Sequence, residues 1–70
     1  MRYRVVYRDP DGSECRSRTM SKEAAIAEAR AAADRCWPAR IIRDADGVEL
    51  GRYTRHDTRG VQYQPNPAAS

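Results

Sequence analysis

Tyr3, Val5 and Tyr7 alternate with Arg2, Arg4, Val6 and Arg8 at the two-residue period of a half-buried strand, which turns the first three toward a core. An Asp9-Pro10-Asp11-Gly12 turn follows. Glu14 to Thr19 then reads as the returning strand, with Cys15, Ser17 and Thr19 on one side and Glu14, Arg16 and Arg18 on the other. Ser21 is placed to cap a helix running to about Cys36, since its hydroxyl accepts from free amides of the first turn and Glu23 suits the positive helix end. Ala25, Ile26, Ala29, Ala32, Ala33 and Cys36 make its apolar stripe, while Glu23, Arg30 and Asp34 lie opposite. Pro38 stops the helix, and Trp37 before it is expected to close one end of the core. Ala39 to Asp44 and Val48 to Arg55 read as two further strands joined through Asp44-Ala45-Asp46-Gly47.

This order predicts an α+β fold of the ββαββ kind, a four-stranded antiparallel sheet with one helix packed on one face, in a single domain over residues 1–55. Residues 56–70 hold Gly60, Pro65 and Pro67 without hydrophobic periodicity and read as an irregular C-terminal tail that docks Val61 or Tyr63. The expected core is Tyr3, Val5, Tyr7, Ile26, Ala29, Ala33 and Val48.

Composition narrows the function classes. A chain of 70 residues leaves no volume for an enclosed catalytic cleft. No apolar run is long enough for a membrane span, and nothing behind Met1-Arg2-Tyr3-Arg4 reads as a signal peptide, so a cytoplasmic location is expected. In that compartment Cys15 and Cys36, both read as pointing inward at a similar level of the fold, are expected to stay reduced, although a disulfide between them is stereochemically possible.

The 13 basic against 10 acidic residues give a formal charge of +3, too mild to name a partner. The kind of cation says more, because Lys22 is the only lysine and every other cation is arginine, whose planar fork suits phosphate and carboxylate. A G+C-rich coding genome produces the same bias without any functional reason. His56 is the only histidine, and no nucleophile is placed beside it, so no enzyme activity is expected. Asp44, Asp46 and Glu49 lack the twelve-residue spacing of a calcium loop. No metal or other cofactor is expected.

Alternation projects Arg2, Arg4, Arg8, Arg16 and Arg18 from the sheet face turned away from the helix, with Tyr53 and Arg55 joining from the last strand. Such a face suits an acidic protein or nucleoprotein surface, or nucleic acid, with Tyr53 as a stacking platform. It also fits the plain requirement that a sheet covered on one side be polar on the other.

Two resemblances accompany these residues. The run Ser21-Lys22-Glu23-Ala24-Ala25-Ile26, the Ile41-Ile42-Arg43-Asp44-Ala45-Asp46-Gly47 hairpin and the Gly60 and Pro65-x-Pro67 ending resemble a family of short uncharacterised bacterial proteins, which implies a fold without a function. In size, helix opening and Asp-Gly hairpin the chain is also similar to small basic phage proteins of the anti-CRISPR kind. That resemblance implies a non-enzymatic inhibitor occupying the surface where a CRISPR complex binds DNA. A direct DNA- or RNA-binding module and a stand-alone structural domain are the alternatives.

Overall fold

The computed structural model describes residues Met1–Ala69. It contains β1 (Tyr3–Arg8), β2 (Glu14–Arg16), α1 (Lys22–Asp34), β3 (Ala39–Arg43), β4 (Glu49–His56) and β5 (Gly60–Pro65), followed by a short 3₁₀ turn over Pro67–Ala69. The strands form one five-stranded sheet in the order β2-β1-β3-β4-β5. All neighbours are antiparallel. The helix crosses one face, over β1, β3 and β4.

The fold class is therefore α+β with one helix on an antiparallel sheet, and the strand count is corrected from four to five. Residues 60–65, expected to be irregular, pair with β4 from His56↔Gly60 to Gly51↔Pro65. Their turn, Asp57-Thr58-Arg59-Gly60, repeats the Asp-x-x-Gly spacing of the other two hairpins. In all three the glycine takes positive φ, 85° at Gly12, 72° at Gly47 and 71° at Gly60, where a Cβ would be strained.

The helix begins as its sequence indicates, with the Ser21 hydroxyl accepting from the Ala24 amide. Its buried face consists of Ala25, Ala29, Ala32 and Ala33, small side chains that let the helix lie close to Val5, Ala39, Ile41 and Tyr53 of the sheet. Ile26 and Trp37 pack at the margins, and Trp37 stacks on Tyr7 with ring centroids 5.7 Å apart. Val48, expected in the core, is only half-buried.

The C-terminus ends in a Schellman motif: the Trp37 amide donates to the Ala32 carbonyl and the Cys36 amide to the Ala33 carbonyl. Cys36 holds the left-handed position, φ 65°, where glycine is usual. That turn directs its side chain outward. Cys36 is exposed and not part of the apolar stripe, while Cys15 is half-buried, and both are free thiols.

Two irregularities decide which side chains share a face. At the end of β2 the Val5 amide bonds to the Ser17 hydroxyl at 2.9 Å, and the next pairing, Tyr3↔Met20, lies one residue out of step with Val6↔Arg16. In β4, Ile41 pairs with Gly51 but Ile42 with Glu49, leaving Leu50 as a bulge. Such an extra residue inverts the alternation beyond it.

Candidate interaction face

The face of the sheet away from the helix is built by Arg4, Val6 and Arg8 of β1, Glu14 and Arg16 of β2, Arg40 and Ile42 of β3, and Arg52 and Thr54 of β4. The registers Val6↔Arg16, Val6↔Arg40 and Arg40↔Arg52 set the central row. Of the arginines assigned to this face by alternation, Arg4, Arg8 and Arg16 are brought together on it.

The others have different positions. Arg2 donates to the Thr19 carbonyl at 2.8 Å and so braces the segment after β2. Arg18 follows the Ser17 irregularity, where the alternation that linked it to Arg16 is lost. Tyr53 and Arg55 lie beyond the Leu50 bulge and point to the helix side. Tyr53 is 8% exposed within the core, and burial raises its phenol pKa above the usual tyrosine range. Arg55 donates to the Asp34 carbonyl at 2.6 Å, a cation at the negative end of α1.

Two residues of the open face were not indicated by the sequence pattern: Arg40, which β3 places beside Val6, and Arg52, which the Leu50 bulge turns to this side. Arg40 and Arg52 stand directly opposite one another, an arrangement of like charges that is unfavourable alone. Glu49 lies between them, 3.5 Å from Arg40 and 3.3 Å from Arg52. On the other side Glu14 accepts from Arg40 at 2.8 Å and lies 3.6 Å from Arg16. The result is an alternating chain, Arg16, Glu14, Arg40, Glu49, Arg52, running across four strands. It passes over Val6, which is 4% exposed although it faces away from the helix. The aliphatic stems of the arginines cover the valine while their charged heads stay in water.

Beside these ion pairs lies an open depression of about 460 Å³ whose lining includes Val6, Arg8, Arg40, Arg52 and Thr54, with Glu14 its one carboxylate. Arg8 has no side-chain partner among the described residues. Arg4 lies 3.6 Å from Asp44. Arg4, Arg8, Arg16, Arg40 and Arg52 set five cations against the three carboxylates of Glu14, Glu49 and Asp44, an excess of two on one face.

None of the aromatic side chains projects from this face. Tyr3, Tyr7, Tyr53 and Trp37 belong to the core or its margin, and Tyr63 packs on Tyr53 with centroids 4.7 Å apart. Among the described residues no three of His, Cys, Asp and Glu gather where a metal could be held, and no helix is long and apolar enough to cross a membrane. Arg43 and Asp46 form a separate, tight pair in the β3–β4 turn. Two guanidinium nitrogens reach the Asp46 carboxylate at 2.7 to 3.1 Å, which holds Asp46 below the usual carboxylate range and Arg43 above its own.

Neither protein-family models, nor curated proteins, nor solved structures give a match to this chain.

Proposed function

We propose that this protein works by binding in the cytoplasm and not by catalysis, as a stand-alone inhibitor or adaptor whose open sheet face engages an acidic surface of a protein or nucleoprotein complex. The observation that carries this reading is the cation-rich depression between Arg8, Arg40 and Arg52. Two of its arginines are held in place before a partner arrives, because Glu14 and Glu49 fix Arg40 and Arg52 in the ion chain, while Arg8 is free to reach the partner. An arriving carboxylate therefore meets donors that lose little side-chain freedom on binding. It competes with Glu14 and Glu49 for those donors, so exchange is favoured only where the partner supplies several acidic groups at once. The likeness to phage inhibitors supports the same reading through size, helix opening and hairpin chemistry, although a fifth strand follows the expected ββαββ order.

Direct nucleic-acid binding has less support. Burial of Tyr53 removes the ring that suggested base stacking and leaves phosphate contacts alone. Backbone amide shifts on titration with poly-glutamate and, separately, with duplex DNA test the proposal. The expected result is a set of shifts at Val6, Arg8, Arg40 and Arg52 with poly-glutamate, and weaker DNA binding. Tighter binding of DNA with a steep salt dependence would favour the nucleic-acid reading instead. Shifts confined to α1, or none, would remove the face from consideration.

A further inference from the structure

The two edges of the sheet are built differently. β2 has three residues, carries Glu14 and Arg16, and becomes irregular at Ser17, whose hydroxyl takes the place of its carbonyl in accepting from Val5, all devices that discourage a further strand. β5 has six residues and no charge, Gly60-Val61-Gln62-Tyr63-Gln64-Pro65. The Asn66 amide donates to the Leu50 carbonyl at 2.9 Å, which makes Gly51↔Pro65 a pair without mutual bonds. Bonding pairs alternate with such pairs. Gln62 and Gln64 therefore bond to β4, whereas Val61 and Tyr63 direct their amides and carbonyls to the outer edge. Among the described residues nothing bonds to those outward groups. The chain beyond Pro65 turns back to β4, where the Asn66 side chain donates to the Glu49 carbonyl, and leaves the edge open.

We propose that β5 pairs antiparallel with β5 of a second copy of this chain, forming a continuous ten-stranded sheet about a two-fold axis at Gln62. One register fits the groups present. Val61 opposite Tyr63 of the second copy exchanges both backbone bonds, and the symmetric pair repeats them. A shift that opposes Val61 to itself would bring Tyr63 against Arg59, whose amide is already given to the His56 carbonyl and whose carbonyl accepts from Gln62. A shift in the other direction opposes Val61 to Pro65, which has no amide to give. In the favoured register each Tyr63, 45% exposed in one chain, packs against a β-branched Val61 of the other. The axis is perpendicular to the sheet, so the two open faces lie side by side and the cationic surface is doubled.

So short an edge makes a weak contact. Sedimentation from about 10 μM to about 1 mM spans the range expected for an interface of this size. The mass should rise from 7.9 kDa toward twice that value. Hydrogen exchange at the two ends of the range should show the Val61 and Tyr63 amides becoming protected on concentration, with Gln62 and Gln64 protected throughout. Gln62→Lys and Gln62→Glu, which place like charges across the axis, should each remain monomeric, and their equimolar mixture should associate. A wild-type mass that never rises overturns the proposal. So does association that leaves the Val61 and Tyr63 amides unprotected, or Gln62→Lys associating as the wild type does.

Discussion

Glu14 and Arg40 are 26 residues apart in sequence and meet at 2.8 Å across the side chain of Val6. The contact joins an edge strand to the centre of the sheet without packing any apolar surface of its own. Both side chains are more than a third exposed, at 38% and 40%, so the pair contributes little to stability. Its consequence is positional, because it fixes the head of Arg40 at the rim of the depression.

Glu14→Gln should therefore change the urea midpoint by less than about 1 kcal/mol in equivalent stability. Affinity for poly-glutamate should rise, because a competing carboxylate has gone. Equilibrium titration at fixed salt checks both parts, and a fall in affinity would show that orientation by Glu14 outweighs its competition.

Cys36 occupies the left-handed position of the helix stop with an exposed side chain. Cys36→Gly should raise stability by about 1 kcal/mol, as the Cβ penalty is removed and no buried contact is lost. Thermal or urea unfolding under reducing conditions measures it.

Gly51 lies under the Tyr63 ring, and a Cβ added there would overlap the ring and hydroxyl. Gly51→Ala should push Tyr63 outward, losing its contact with Tyr53 and its bond to the Leu50 carbonyl, at a cost of about 1 to 2 kcal/mol. In a Tyr63→Leu background the same substitution should cost less, which a double-mutant cycle reads directly.

The pair at Arg43 and Asp46 gives an acid dependence with a definite sign. The Asp46 carboxyl is lowered in the fold, first by the hydrogen bond from Arg43 and then by the Val48 amide. Its contribution is present above the unfolded carboxylate pKa of about 4 and is lost as pH falls through the folded value. Asp46→Asn should thus destabilise the protein at neutral pH, and the gap between the two unfolding curves should close in acid. A gap that stays constant down to the acid end would contradict the assignment.

Much of this architecture was legible in the sequence, because its first four strands and helix follow simple rules. Tyr3, Val5 and Tyr7 do face the helix, Ser21 does cap it, and Gly12 and Gly47 do turn the hairpins. β5 was not legible from periodicity, since Val61 and Tyr63 are its only apolar residues besides a terminal proline. The Asp57-x-x-Gly60 turn signal was available. The open face was read correctly along β1 and the start of β2 and wrongly along β4. Leu50 is the reason: a bulge carries no compositional mark, and it exchanges Tyr53 and Arg55 for Arg52 on the open side. Pairings between side chains from distant strands, such as Glu14 with Arg40, depend on strand order and cannot be read from local pattern at all.

If the open face is the contact surface, Arg8 and Arg52 meet the acidic partner directly. The most direct test compares the affinity of two charge-reversed proteins for poly-glutamate: Arg8→Glu with Arg52→Glu, and Lys22→Glu with Arg30→Glu on the exposed side of α1. Both pairs change the net charge equally, so long-range attraction falls by the same amount in each. The expected result is loss of binding for the sheet pair and only a modest weakening for the helix pair, with both proteins folded. Equal losses would mean that overall charge governs binding, and undiminished binding by the sheet pair would show that the open face is not the contact surface.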